Sequence, residues 1–261
     1  MRILVLAKPV PDTAVAAERM GADMRVDRTA APNVVNGNDE YALEAALQLV
    51  EAHGGEVAIL TMAPANGVET MRKALAMGAM RGVLVTDEAL AGADVPTTIR
   101  ALAAAAKTEE FDLLLTGLFT SDGGGGAVAA GVAALLGLPM LSGAAHIDPD
   151  PAAGRVKVRR LTDNGYDLVE APMPAVISGT QALGTPRYPS LKGIMAARSR
   201  SIRQLSLADL GPDIAPADGA WTSTVLGFDP PPARTAGRVV NLPADAAARE
   251  IADFLADRRI I

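Results

Sequence analysis

The sequence contains no cysteine, and this absence excludes several kinds of site. A chain without cysteine forms no disulfide, offers no thiolate nucleophile and cannot bind zinc through the common cysteine ligands. The absence of disulfides is typical of proteins in a reducing compartment, so we expect this protein to be cytoplasmic.

Dense basic clusters and long apolar runs are missing as well. The chain has 24 Lys and Arg against 30 Asp and Glu, and its nearest approach to a basic patch is Arg198, Arg200 and Arg203. Nucleic-acid binding needs clustered cations, so we expect no nucleic acid as a partner. The longest apolar stretch, residues 127–138, is too short to cross a bilayer, so we expect no direct membrane insertion.

Familiar catalytic motifs are also absent. The sequence has no G-x-x-x-x-G-K-[ST] loop, no G-x-S-x-G elbow and no H-E-x-x-H helix. No nucleophile or carboxylate motif surrounds His53 or His146, which favours structural or surface roles for both. Lys8 and Pro9 follow the first apolar run where a standard dinucleotide dehydrogenase has G-x-G-x-x-G. We therefore predict no catalytic residue and no metal site.

The chain does contain an alternation of short apolar runs and helical patterns. The runs rich in Val, Leu and Ile predict strands at residues 2–7, 56–61, 82–86 and 112–116. Apolar residues at helical spacing predict crossover helices at residues 39–52, 67–77 and 96–107. Continuous apolar strands are typical of parallel sheets buried on both faces, so we predict an open α/β sheet with helices on both faces. Ligands of such sheets lie beyond the strands' carboxyl ends at the switch point, which the first and fourth strands are expected to flank.

The pattern changes after Ser142. Residues 156–161 and 166–170 alternate around Asp163, Asn164 and Gly165, which predicts an antiparallel hairpin. A buried strand follows at residues 175–178. The Gly- and Pro-rich stretch from 179 to 193 predicts a long loop, and loops of that length inside compact proteins are usually functional.

Four consecutive glycines follow the fourth predicted strand and precede a helix of small residues. Without β-carbons, backbone N–H groups can approach a ligand closely, and the next helix presents its unpaired N-terminal amides and positive dipole end to an anion. The segment therefore predicts a nucleotide or phosphate ligand. Glycine runs also mark linkers, and taken alone this one is open to that interpretation.

The C-terminal part of the chain is thinly connected. Residues 210–238 are loose and include three consecutive prolines, and a final helix is predicted at residues 244–258. Such a tail would hang free unless it packs on another surface. We therefore predict a nucleotide-binding α/β domain at residues 1–210 and an arm at residues 211–261 that packs on a partner chain.

Six segments, in order, resemble motifs of the β subunit of electron transfer flavoproteins. Residues 8–13 (KPVPDT) resemble the family's K-x-V-P-D start, and residues 72–79 (RKALAMGA) match its R-x-A-L-A-M-G-A element. The other four are residues 36–46 (NGNDEYALEAA), 159–178 with the hairpin, 186–197 (PRYPSLKGIMAA) and 232–237 (PARTAG). The resemblance runs nearly from end to end.

The resemblance implies an electron carrier and not an enzyme with its own bond chemistry. Family members have a sheet of the adenine-nucleotide α-hydrolase type and form a heterodimer with an α subunit that holds most of the FAD site. They bind AMP structurally. The heterodimer accepts electrons from primary flavin dehydrogenases and passes them to a quinone oxidoreductase.

Carried over by motif, the resemblance implies two sets of site residues. The expected cofactor-binding residues are Leu6, Ala7, Asn36, Gly37, Asn38, Asp39, Met62, Thr120, Ser121, Asp122, Gly123, Gly124, Gly125, Gly126, Ala127 and Val128. The Asn36 side-chain amide could hold the adenine or the ribose.

The second set is a partner-recognition loop near residues 184–197. Its expected residues are Arg187, Tyr188, Pro189, Ser190, Leu191, Lys192, Gly193, Ile194 and Met195. Leu191 falls where the family places an apolar anchor that docks into dehydrogenases, whereas without the resemblance it would be read as packing on its own domain. Arg198 and Arg200 either steer an acidic dehydrogenase surface or form a solvated face.

The glycine loop departs from the family pattern. Many relatives read S-I-D-G-D-T-G-Q-V-G, and here residues 124–127 replace the D-T-G-Q portion by Gly and Ala. Gly37 and Asn38 replace the usual proline region before Asp39. Ligand binding would then depend on backbone N–H groups and water. Two alternatives stay open: a flavin-bifurcating relative with a second FAD at the AMP position, and a stand-alone nucleotide-binding protein of the same fold.

Overall fold

The computed structural model describes residues 1–16, 19–211, 213–214, 223, 225–229 and 237–261. Within them the chain forms two compact units, Met1–Leu226 and Gly227–Ile261. The prolines at 230–232 and residues 232–236 of the motif at 232–237 lie outside the described residues. The predicted domain boundary at residue 210 stays a prediction.

The larger unit contains eleven described strands and six α-helices. The strands are β1 (Arg2–Leu6), β2 (Pro9–Pro11), β3 (Asn33–Val35), β4 (Glu56–Met62), β5 (Arg81–Val85), β6 (Leu113–Gly117), β7 (Met140–Asp150), β8 (Arg155–Thr162), β9 (Gly165–Pro172), β10 (Ala175–Gly179) and β11 (Ile202–Leu205). The helices are α1 (Gly37–His53), α2 (Gly67–Met77), α3 (Val95–Ala106), α4 (Val128–Leu136), α5 (Leu191–Ala197) and α6 (Leu207–Leu210). The smaller unit carries helix α7 (Ala244–Asp257).

Nine of these strands form one sheet in the order β11-β5-β4-β1-β6-β10-β7-β8-β9. The pairs from β11 to β7 are parallel, and β8 and β9 extend the sheet as an antiparallel hairpin. Strands β2 and β3 form a separate antiparallel pair. The predicted open, mostly parallel sheet with a hairpin excursion is confirmed.

Helices cover both faces of the sheet because the side chains of each strand alternate. Ile3 and Val5 of β1 belong to a core shared with α1 and α2. Leu4 and Leu6 point to the other face and belong to a core shared with α3 and α4. The continuous apolar sequence of β1 therefore contributes to two cores at once, as expected of a strand in the middle of a parallel sheet.

The strand order places the switch point between β1 and β6. After β1 the chain adds β4 and then β5 on one side, and it crosses back to add β6 on the other side of β1. The connections therefore leave the carboxyl ends of β1 and β6 in opposite directions, which opens a crevice there. The first and fourth predicted strands correspond to β1 and β6. The prediction that they flank the switch point is confirmed.

Several elements differ from the sequence-based expectation. Helix α5 occupies the end of the stretch that was predicted to be a long loop, because the Ser190 hydroxyl accepts the Gly193 N–H and caps a helix there. Strands β2, β3 and β11 were not predicted. Strand β11 has only four residues, and its Arg203 and Gln204 are exposed, so it carries no continuous apolar run.

No helix in the described part of the chain is long and apolar enough to cross a membrane.

Candidate functional site

The buried carboxylate of Asp39 joins the two strand ends that border the switch point. Asp39 lies in the first turn of α1, and its Oδ2 accepts the Lys8 N–H at 2.9 Å while its Oδ1 accepts the Gly117 N–H at 3.1 Å. Lys8 follows β1 and Gly117 ends β6. Burial raises the pKa of Asp39 to about 7 against the opposing effect of these hydrogen bonds.

Gly117 is required because the start of α1 approaches β6 closely. A β-carbon at Gly117 would lie 2.5 Å from the Asp39 Oδ1 and 2.6 Å from the Asn38 carbonyl carbon. Any larger residue would push the helix away from the strand end. The glycine therefore sets the distance between the predicted site residues of α1 and those that follow β6.

Two asparagine amides hold the segment that leads to the four glycines. The Nδ2 groups of Asn36 and Asn38 each donate to the Phe119 carbonyl at 3.0 Å. The Asn36 Oδ1 also accepts the Ser121 N–H at 3.2 Å. Both polar ends of the Asn36 amide thus bind the loop backbone, and Asn36 is almost completely buried. The structure brings these predicted site residues together and uses their side chains to position the loop.

Asp122 anchors the loop through two cations that are not among the predicted site residues. Its Oδ1 accepts a hydrogen bond from Lys8 Nζ and its Oδ2 accepts one from Arg28 Nε, both at 2.8 Å. Burial opposes ionisation of Asp122, but the charges and hydrogen bonds of Lys8 and Arg28 outweigh it and hold its pKa below the usual value. Lys8 lies in the K-x-V-P-D motif, whereas no signal in the sequence distinguishes Arg28.

The four glycines form an exposed turn before α4. Gly124 and Gly126 have φ of 59° and 60°, a conformation that glycine adopts without strain. A β-carbon at Gly123 would lie 3.8 Å from Lys8 Nζ, so bare backbone faces this cation. Within the described residues no side chain caps α4, which begins after Ala127. The predicted loop residues therefore present backbone N–H groups and a helix N-terminus, and both suit a phosphate.

The remaining predicted cofactor residues lie at the same edge of the sheet. Leu6 ends β1, Ala7 follows it, and Met62 ends β4. The Ala7 N–H donates to the Leu60 carbonyl at 3.1 Å, and the Thr61 hydroxyl donates to the Ala7 carbonyl at 2.7 Å. These bonds extend the pairing of β1 and β4 up to the switch point.

The recognition segment is fixed to α1 through Arg187. The Arg187 guanidinium donates Nε to Glu44 Oε2 at 2.8 Å and Nη2 to Glu44 Oε1 at 3.0 Å, and it also contacts Glu51. Its pKa is raised by hydrogen bonds to Glu51 and Glu44. The Arg187 guanidinium therefore forms its hydrogen bonds within the chain, and its observed role is to hold the recognition segment against α1.

Helix α5 lies against α2 and exposes apolar side chains. A β-carbon at Gly193 would lie 2.3 Å from the Ala76 carbonyl oxygen, so a glycine lets the two helices approach. Tyr188 is 96% exposed and Leu191, the first residue of α5, is 78% exposed. Ile194 and Met195 are exposed as well.

Of the two arginines beyond α5, Arg198 is exposed and Arg200 is partly buried. Arg200 Nη1 donates to the Leu75 carbonyl near the end of α2, and Arg72 donates to the carbonyls of Ala197 and Arg200. Arg200 therefore satisfies a helix carbonyl and joins α5 to α2. One guanidinium nitrogen of Arg200 is thus engaged within the chain, and the expected steering or solvated face stays a prediction.

Comparisons with known proteins agree with this geometry. Residues 23–210 match the family model described as the electron transfer flavoprotein domain. The electron transfer flavoprotein subunit beta of Mycobacterium tuberculosis (strain H37Rv) is 38% identical over 99% of each chain. The chain belongs to the electron transfer flavoprotein β-subunit family. This membership supports a role in electron transfer.

Two further relatives match this chain over their whole length. The subunit beta of Megasphaera elsdenii is 32% identical over 100% of each chain. The caffeyl-CoA reductase-Etf complex subunit CarD of Acetobacterium woodii is 31% identical over 100% of each chain. The names of the subunit-beta relatives imply a partner subunit.

Proposed function

We propose that this chain is the β subunit of a cytoplasmic, heterodimeric electron transfer flavoprotein. In this proposal the α subunit holds most of the FAD, and the β chain buries one side of the flavin. FAD supplies the capacity to accept and release electrons. Primary flavin dehydrogenases donate the electrons and a quinone oxidoreductase accepts them, while the β chain makes and breaks no bonds of its own.

The positioned glycine loop at the switch point is the observation that carries the proposal of a nucleotide site. Asn36 and Asn38 fix the Phe119 carbonyl, and Asp122 is held by two cations. The backbone from Gly123 to Val128 would then hold the phosphate of AMP. The lack of β-carbons where the loop faces Lys8 supports this fit.

The exposed side chains of α5 support the proposed role in donor recognition. Leu191 extends from a short helix whose position is fixed by Arg187 on one side and by Gly193 and Arg72 on the other. A rigid support lowers the entropy that an apolar anchor loses on docking. An exposed leucine on such a support suits insertion into a pocket of a dehydrogenase.

The test is to count bound nucleotides in the assembled protein. The chain is co-expressed with its candidate α subunit, the complex is purified and denatured, and the released FAD and AMP are measured per heterodimer. We expect one FAD and one AMP. Two FAD and no AMP would instead support the bifurcating arrangement, and failure to associate with an α subunit would favour the stand-alone nucleotide-binding protein.

A matched pair of glycine variants shows whether the loop holds the AMP. Gly126 and Gly154 both have φ near +60°, at 60° and 64°, and both have room for a β-carbon. Gly126→Ala strains the proposed cradle, whereas Gly154→Ala applies a similar strain in the turn between β7 and β8. We expect Gly126→Ala to lower AMP per heterodimer at unchanged FAD. Equal AMP content in the two variants would exclude the glycine loop as the binding site of the AMP phosphate.

A further inference from the structure

The group formed by Lys8, Asp122 and Arg28 carries an unbalanced positive charge beside the glycine loop. The three side chains come from distant parts of the sequence, and both carboxylate oxygens of Asp122 are occupied at 2.8 Å. The Asp122 side chain is fully buried, whereas those of Lys8 and Arg28 remain 35% and 41% exposed. The two cations and one carboxylate give this group of three side chains a net charge of +1. The cations are the members of the group that are exposed to solvent.

This charge lies next to the proposed phosphate cradle. The position of a β-carbon on Gly123 is 3.8 Å from Lys8 Nζ, so the ammonium is within reach of a group bound against the loop backbone. Another buried carboxyl near Lys8 is that of Asp39, but it bonds the Lys8 backbone N–H. Burial raises the pKa of Asp39 to about 7, so at neutral pH this carboxyl only partly offsets the cation.

We propose that Lys8 and Arg28, held in place by Asp122, determine that the site takes a phosphorylated nucleotide and rejects the uncharged nucleoside. Backbone N–H groups alone favour a phosphate, but they also donate to neutral oxygen atoms. A net positive charge on these side chains discriminates by ligand charge. Asp122 is then a positioning residue that partly neutralises the cations, and the two cations set the selectivity.

The inference rests on the proposed function and predicts opposite effects for the members of the group. Lys8→Gln and Arg28→Gln each keep a donor for Asp122 but remove a positive charge. Asp122→Asn removes the negative charge and raises the net charge to +2. We expect the ratio of AMP to adenosine affinity to fall about fivefold in each cation variant and to rise in Asp122→Asn.

The measurement is calorimetric titration of nucleotide-depleted heterodimer with AMP and with adenosine. Lys157→Gln is the control, because Lys157 is paired with Glu170 on the hairpin. A purely structural role would lower both affinities and leave their ratio unchanged. An unchanged ratio in both cation variants, or a lower ratio in Asp122→Asn, would overturn the inference while the nucleotide site stands. Absence of any AMP binding by the wild-type heterodimer would overturn the inference and the proposed AMP site together.

Discussion

Asp39 makes the stability of the protein depend on pH in an unusual direction. An aspartate in an unfolded chain has a pKa of about 3.9, whereas burial raises the pKa of Asp39 to about 7 in the folded protein. The folded state therefore binds more protons than the unfolded state between these values. By linkage, the Asp39 contribution to stability is fully present at low pH and is lost as the pH rises towards and through 7.

The variant Asp39→Asn tests this account. Asparagine has one acceptor oxygen for the two N–H groups of Lys8 and Gly117, and its own amide N–H₂ would face one of them. We expect a loss of about 1–3 kcal/mol in the free energy of unfolding. The loss should be larger at pH 5 than at pH 8, because the wild-type protein loses the Asp39 contribution as the pH rises. Urea denaturation of the wild-type protein and the variant at both pH values measures this loss in the free energy of unfolding.

Asp112→Asn provides the matched control. Asp112 accepts the Arg2 N–H at 2.7 Å at the start of the sheet, but it is only partly buried. Its substitution measures the cost of losing a carboxylate that accepts a backbone N–H at a less buried position. If the cost of Asp39→Asn were equal at the two pH values, or larger at pH 8, the raised pKa of Asp39 would be refuted.

Sequence reasoning selected several of these residues but not what they contact. The resemblance pointed to Asn36, Asp39 and Asp122 as ligand-binding residues. Their side chains bond Phe119, Gly117 and Lys8, which are 78 to 114 positions away in the chain. Such pairings depend on which strands become neighbours in the sheet, and one sequence does not specify them. Arg28 was missed for the same reason.

A helix or strand was predictable from the sequence where its apolar residues repeat at a single regular spacing. Helix α2 was predicted at residues 67–77 and forms at Gly67–Met77, because its apolar residues repeat at helical spacing against one core. Helix α5 was missed because it has only seven residues, includes Gly193 and follows a proline-rich stretch. Its stability comes from the Ser190 cap and its packing on α2, and periodicity shows neither.

The position of α5 leads to a prediction about donor recognition. Leu191→Ala removes the exposed side chain at the first position of the helix and leaves the Ser190 cap in place. If Leu191 fills a pocket in the donor, we expect reduction of the heterodimer by its dehydrogenase to slow by about tenfold or more. Flavin content should not change. Stopped-flow measurement of flavin reduction at several donor concentrations gives this rate.

Leu168→Ala is a control of the same chemistry on another element. Leu168 lies on β9 and is almost as exposed as Leu191, at 74%. Its loss should leave the reduction rate unchanged if donors dock on α5. Equal slowing in the two variants would point to a general effect of lost apolar surface, and an unchanged rate in Leu191→Ala would contradict the anchor role.

At the level of the whole molecule, the helix of the C-terminal unit exposes large apolar side chains. Helix α7 has 14 residues and all of them remain at least partly exposed. A helix of that length is only marginally stable in water without packing. Ile251 and Phe254 lie three positions apart on one face of α7, and both are exposed. These observations support the prediction that the arm packs on the α subunit.

The double variant Ile251→Ala/Phe254→Ala should therefore weaken the heterodimer. If both side chains are apolar anchors buried at the centre of the interface, each truncation costs more than about 1 kcal/mol, so we expect the dissociation constant to rise by about thirtyfold or more. The control is Asp253→Ala on the same helix, which leaves the apolar pair intact. Sedimentation at several concentrations measures dissociation, and circular dichroism confirms that the nine-stranded sheet is still folded. Equal affinity in the two variants would mean that the α subunit binds elsewhere on this chain.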